Sequence, residues 1–319
     1  MSMALAPWQQ RAFEHAVAAL QAGRLGHALL LCGPQGIGKR AVADALVRVL
    51  LGAGPAGAGD RDAHLLDAGT HPDLQVVSFV PTKDGSKLRS EIVIEQIREL
   101  SRTLVLTPQY GRAQVALVDP ADAVNRAAWN ALLKTLEEPQ PGRYLLLLAS
   151  EPMRLPVTIR SRCQRLELRL PGGAEALAWL RAQGHAEATA GEALAAARGH
   201  PGLAHAWLQG GGLALRREVD ADLDRLERGQ LPPVETAQRW AGDEHADLRL
   251  RHAADLALAR AADPALTDPA RLHKLAAWFD QANRTRDLLR TSVRVDLAIV
   301  ELLLAWPGKR GRRPIGDRG

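Results

Sequence analysis

The chain has 319 residues, 46% of them hydrophobic, with two cysteines and a net charge of +5. That length suggests two or three domains. No apolar run approaches the ~20 residues of a membrane-spanning helix, and Met1–Gln10 lacks a basic-then-apolar leader pattern, so a cytoplasmic protein is expected. Cys32 and Cys163 can build neither a disulfide framework nor a cysteine-based zinc site. Most of the excess charge lies in residues 308–319, where Lys309, Arg310, Arg312, Arg313 and Arg318 stand against Asp317 alone. The Gly/Pro/Arg content of that tail favours a solvated, disordered end over an arm that touches phosphates.

In chain order, Trp8–Ala22 places Phe13, Ala16, Val17 and Leu20 on one face, which predicts an amphipathic helix ending near Gly23. His27–Cys32 reads as a short strand. It runs straight into GPQGIGKR, Gly33 to Arg40, which meets seven of the eight positions of the G-x-x-x-x-G-K-[ST] phosphate-binding loop. Val42, Ala45, Leu46 and Val49 carry the helix that should follow. In such a loop Gly33, Gly36 and Gly38 let backbone N–H groups turn toward phosphates, and Lys39 reaches the β and γ oxygens. The eighth position departs from the pattern: Arg40 stands where a hydroxyl should ligate Mg²⁺, and a guanidinium has no lone pair to give a metal. Mg-nucleotide is therefore expected to bind weakly or not at all.

Leu51–Thr70 reads as a Gly/Ala-rich loop with a short helical piece, LLDAG. Its His64, with His71, Asp60, Asp62 and Asp67, reads as solvated rather than metal-binding, and no metal is expected. A strand over Leu74–Val80 and a polar linker over Pro81–Ser90 come next. A helix then carries Val93, Ile97, Leu100 and Leu104 on one face. Val115–Val118 and Tyr144–Ala149 are strand candidates flanking a helix whose Trp129, Leu132, Leu133 and Leu136 fall at i, i+3, i+4 and i+7, a β-α-β unit. The first of these strands ends in Asp119, where a nucleotide hydrolase needs one carboxylate for Mg²⁺ and a second to polarise water. Here Pro120 takes the second position and supplies neither base nor N–H, and Asp122 is read as structural. The second strand ends in Ser150, at the edge where such folds collect their polar groups.

Gln164–Leu168 alternates polar and apolar, an edge strand closing the first domain near Leu170, with Pro171-Gly172-Gly173 as the boundary. Helical segments follow over Ala174–Gln183, Glu187–Ala197 and Pro201–Gln209. Beyond Gly210-Gly211-Gly212 the chain is helical by pattern. Leu215, Val219, Leu223 and Leu226 share one helix, and Leu297, Val300, Leu303 and Leu304 the last. Trp240, Trp278 and Trp306 are expected in the core.

The run NALLKTLEEP, followed by a strand and then Ser161-Arg162-Cys163, resembles the bacterial clamp-loader family of AAA+ proteins. The resemblance covers most of Gln21–Leu208. It implies an α/β P-loop (AAA+) domain with a five-stranded parallel sheet over residues 1–170, here degenerate. A small helical lid over 171–209 and an all-helical collar that joins subunits over 210–307 complete the expected organisation. Relatives often carry four zinc-binding cysteines in the insertion after the P-loop helix, and this chain has none. Active relatives sense the γ-phosphate with an arginine where this chain has Gly202. The resemblance also implies that Arg162 enters a neighbouring subunit's ATP site as an arginine finger, whereas Gly33, Gly36, Gly38, Lys39, Arg40, Asp119 and Ser150 form a degenerate nucleotide site.

The expected function is a non-hydrolysing clamp-loader subunit of the replicative DNA polymerase holoenzyme, needing no cofactor. Its expected partners are tau/gamma-type ATPase subunits and a delta-type subunit in a hetero-pentamer, and through them the sliding clamp and primed DNA. No membrane partner is expected. An active clamp-loader ATPase is disfavoured by Arg40 and Pro120. A stand-alone small-molecule kinase is disfavoured because it has no use for the Ser-Arg-Cys loop or a collar.

Overall fold

The structure, a computed structural model, describes residues 4–54, 60–82, 85, 89–110, 112–289 and 294–307. The tail over 308–319 and part of the linker over 81–90 lie outside them. The chain divides into two compact units, Met1–His205 and Ala206–Gly319.

The first unit is built on five parallel strands, β1 (Ala28–Cys32), β2 (Leu74–Val77), β3 (Gln114–Val118), β4 (Arg143–Ala149) and β5 (Gln164–Glu167), in the order β2-β3-β4-β1-β5. The inner strands are nearly continuous runs of Leu, Val and Ala because both of their faces are covered, as in parallel sheets generally. Successive side chains alternate between two cores. Leu30, Cys32, Val118 and Leu147 face α4 (Ile94–Val105), α5 (Arg126–Glu137) and the short α6 (Val157–Arg160). Leu29, Leu31, Leu117 and Leu146 face α1 (Pro7–Gln21) and α2 (Lys39–Leu51). β5 pairs only with β1, and its single buried residue, Leu166, is what an edge strand with polar alternation should show. The expectation of a five-stranded parallel α/β P-loop domain is met.

Two element boundaries differ from the sequence reading. β2 stops at Val77 rather than Val80, because its last partner on β3 is Val118 and the chain turns away at Asp119-Pro120. The helix placed over LLDAG is α3 (Arg61–Asp67), begun earlier by Asp60, whose carboxylate accepts from Ala63 N at 2.6 Å as an N-cap. On α2 the buried face is Val42, Ala43, Leu46, Val47 and Leu50, while Val49 is exposed.

Three helices complete the first unit or leave it, α7 (Gly173–Ala182), α8 (Glu187–Ala196) and α9 (Pro201–Gln209). The second unit is helical: α10 (Gly212–Glu227), α11 (Pro233–Ala241), α12 (Ala246–Ala261), α13 (Pro269–Leu288) and α14 (Val295–Leu304). Its core holds Trp240, Trp278 and Trp306, all buried. Trp240 Nε1 donates to the buried Asp222 Oδ2 at 3.0 Å, and Trp278 Nε1 donates to Leu302 O at 2.7 Å, so both indoles bury area without stranding a donor. α14 holds Leu297, Val300, Leu303 and Leu304 as expected; its buried residues are Ile299, Leu302 and Leu303, with Leu297 and Leu304 exposed. The sequence VDLAIVELLL is apolar on nearly every side and does not mark a face by itself.

Candidate functional site

The degenerate P-loop lies at the carboxyl ends of β1, β3 and β4, where a parallel sheet leaves a crevice for ligands. Lys39 opens α2 behind Gly38, whose φ of +98° is a left-handed conformation that favours glycine. Its ammonium is largely buried and donates to Gly33 O at 2.8 Å, Pro34 O at 3.0 Å and Ser150 Oγ at 2.9 Å. An ammonium has three protons. All three are used inside the chain, on the groups a nucleotide's phosphates would have to displace. Burial pulls the Lys39 pKa down, against the opposing charges of Asp122 and Asp119.

Arg40 points the other way. Its Nε donates to Asp44 Oδ1 at 2.8 Å, one turn along α2, and its Nη1 lies 3.4 Å from Asp119 Oδ2. Burial opposes the charged form, but the bond to Asp44 and the charges of both carboxylates raise the Arg40 pKa on balance. The guanidinium thus takes the carboxylate that would hold Mg²⁺ and sits where the missing hydroxyl belonged. Asp122 does structural work: its Oδ2 accepts from Ser150 N at 2.9 Å and Glu151 N at 2.7 Å, tying the turn after β3 to the end of β4.

Two further groups close on the loop, neither visible as such in the sequence. Trp8 Nε1 and Gln9 Nε2 at the start of α1 both donate to Ile37 O, each at 3.0 Å. Gln9 Oε1 also accepts from Ala6 N at 2.9 Å, the N3-to-N-cap half of a capping box whose other half an alanine cannot make, and a glutamine three positions into a helix is the signal that could have found it. From the other side, Gly202 in the first turn of α9 meets the P-loop backbone so closely that a Cβ there would lie 2.0 Å from Gly36 O. The position where active relatives are expected to carry an arginine is filled by the approach of two backbones. The residues present do not fit Mg-nucleotide: the metal ligand is replaced, its carboxylate is paired, the lysine is saturated, and α9 leans on the loop.

Of the predicted site residues, Gly33, Lys39 and Ser150 meet through one ammonium, and Arg40 and Asp119 meet beside them. Gly36 and Gly38 shape the same loop, one against Gly202 and the other against Gln9. Arg162 stands apart from this set. The loop from Ser150 runs through α6, anchored by buried Leu155 and Ile159, and delivers Arg162 just past its end. There Nη1 donates to Thr158 O at 2.9 Å and Nη2 to Glu137 Oε1 at 2.7 Å, with 37% of the side chain exposed. Its neighbour Cys163 is half-buried, and burial pushes its thiol pKa up to about 12, a packed group rather than a nucleophile. Cys32 and Cys163 are both free thiols.

Three of the residues weighed as metal ligands have other partners. Asp60 caps α3, Asp67 pairs with Arg48, and His71 Nδ1 accepts from Asp73 N. Among the described residues no group of three potential ligands converges, and no helix is long and apolar enough to cross a membrane.

Residues 8–171 match the family model described as DNA polymerase III, delta subunit. The chain is 39% identical over 240 residues to the DNA polymerase III subunit delta' of Pseudomonas aeruginosa, spanning 73% of this chain and 70% of that protein. It is 38% identical to the subunit delta' of Escherichia coli over 64% of this chain and 61% of that one. It is also 34% identical to the E. coli subunit tau, across 49% of this chain and 24% of tau.

Proposed function

Because the chain belongs to the DNA polymerase III delta-subunit family, we propose that it is a delta'-like clamp-loader subunit that hydrolyses no ATP itself and acts on a neighbour's nucleotide through Arg162. The observation that carries this reading is the contrast between two cations. Lys39 spends all three of its ammonium protons on its own chain at the P-loop, whereas Arg162 is presented past the end of α6 with hydrogen-bonding capacity to spare. A guanidinium carries five N–H donors in a planar fork suited to phosphate oxygens. Two are engaged here.

In this reading tau/gamma-type ATPase subunits and a delta-type subunit are the partners, in a hetero-pentamer that acts on the sliding clamp and primed DNA in the cytoplasm. The helical second unit serves as the collar joining them. Arg162 neutralises charge developing on the γ-phosphate bound by the adjoining subunit. Arginine fingers supplied in trans to GTPases are worth about 10³–10⁵ in rate, and one site among several contributes less.

The test mixes the purified chain with tau/gamma-type and delta-type subunits and measures co-elution, DNA- and clamp-stimulated ATPase, and clamp loading. Arg162→Ala is expected to leave the complex intact and lower the last two activities. Arg162→Lys should rescue poorly, because a point charge lacks the fork. Unchanged ATPase and loading in a verified Arg162→Ala complex would sink the trans-acting role.

A further inference from the structure

We infer that Glu137 is a positioning residue for Arg162, holding the guanidinium in the orientation from which it meets an oxyanion. The inference rests on the trans-acting role of Arg162 and adds a second residue to it.

Two independent observations point to Glu137. The first is geometric: its Oε1 accepts from Arg162 Nη2 at 2.7 Å while Thr158 O accepts from Nη1 at 2.9 Å, so both terminal nitrogens of the fork are fixed by one chain. The backbone follows, with Arg162 N donating to Ile159 O at 3.1 Å, and Ile159 is wholly buried in the core beneath the sheet. A free arginine side chain samples many rotamers and loses that freedom on binding a phosphate. Here much of the restriction is already in place, and the donors left over (Nε–H and the second proton of each Nη) lie along the remaining edges of the plane.

The second observation is electrostatic. Glu137 is the last residue of α5 and Glu138 is its C-cap, where the partial negative charge of the helix end disfavours carboxylates. A carboxylate placed against its own helix, yet hydrogen-bonded to the fork of a half-exposed arginine 25 positions away, is explained by the arginine rather than by the helix.

The test uses the assembled complex with Glu137→Ala, Glu137→Gln, Arg162→Ala and the double variant Glu137→Ala/Arg162→Ala. Each is checked for co-elution and Tm, then read as kcat and KM of the stimulated ATPase. Glu137→Ala is expected to lower kcat about threefold to fivefold, the upper range for an exposed ion pair, with KM for ATP little changed. Glu137→Gln should retain most of the rate, since the amide oxygen still accepts from Nη2. The double variant should be no slower than Arg162→Ala alone.

Wild-type or faster turnover in Glu137→Ala, with Arg162→Ala impaired, would overturn the positioning role and leave the trans-acting role standing. Full activity in Arg162→Ala would overturn both. Equal losses in the Ala and Gln variants would likewise refute positioning through the hydrogen bond.

Discussion

The Arg40 guanidinium faces the Asp119 carboxylate at 3.4 Å, so the two positions that should share a magnesium ion form an ion pair instead. A cation built into the chain needs no nucleotide to satisfy Asp119. With 47% of the Arg40 side chain and 31% of that of Asp119 exposed, the pair contributes little to stability. Its effect is on chemistry, through the ligand it withholds.

Purified alone, the chain is therefore expected to show no ATP turnover above background. Arg40→Thr with Pro120→Glu restores a hydroxyl and a second carboxylate and should give measurable Mg-dependent binding of a fluorescent nucleotide. Mg-dependent hydrolysis by the unaltered chain, abolished by Lys39→Ala, would refute this account of the site.

Two glycine-to-alanine substitutions should move stability in opposite directions. At Gly202 the new Cβ would lie 2.0 Å from the Gly36 carbonyl oxygen, and backbone cannot swing aside as a side chain can. A loss of about 1–3 kcal/mol is expected, as for overpacking. At Gly191, inside α8 with open space around it, alanine should stabilise by about 0.5–1 kcal/mol. Thermal unfolding of both variants checks the pair of signs. A Gly202→Ala protein as stable as the parent would show that α9 does not bear on the loop.

The second unit should be acid-sensitive through His252. Its ring is fully buried, 4.6 Å from the Trp207 ring, and burial followed by the charge of Arg216 brings its pKa down to about 4. In the unfolded chain the ordinary value is about 6.5. Between these the unfolded state binds the extra proton, so this stability is fully present above about pH 6.5 and is lost as pH falls toward 4. The whole shift corresponds to about 3 kcal/mol. Urea unfolding followed by tryptophan fluorescence at pH 7, 5.5 and 4.5 should show the decline, and His252→Gln should flatten it. An identical slope in the variant would assign the decline elsewhere.

How much of this was legible in the sequence follows from how local each feature is. The P-loop, the β-α-β unit and the Ser-Arg-Cys loop are contiguous runs, and the three inner strands announce themselves because a buried parallel sheet needs unbroken apolar segments, while β5 shows the alternation of an edge. Arg40, Pro120 and Gly202 could each be noted as departures from a pattern. What they touch could not: Arg40 and Asp119 are 79 positions apart, Gly36 and Gly202 meet through backbone, and nothing in LEEP marks Glu137 as the partner of Arg162. Which sides of α2 and α14 turn inward was not legible for another reason, since a helix apolar on most sides takes its orientation from its neighbours rather than from its own spacing.

The first helix is tied to the phosphate loop on one side and to α7 on the other. Trp8 and Gln9 share the Ile37 carbonyl, Trp8 rests edge-on against Trp179 of α7 at 5.2 Å, and Arg11 clasps Glu175 with both terminal nitrogens at 2.6 and 3.0 Å. Lifting the phosphate loop away from α1 would break both bonds to the Ile37 carbonyl at once, while the contacts to α7 hold α1 in place. Amide hydrogens around Ile37 and Lys39 should accordingly exchange with solvent only through a shared opening of α1 and the loop, in step with one another. A loop held at Ile37 by two side chains of α1 should then open only when α1 lifts with it.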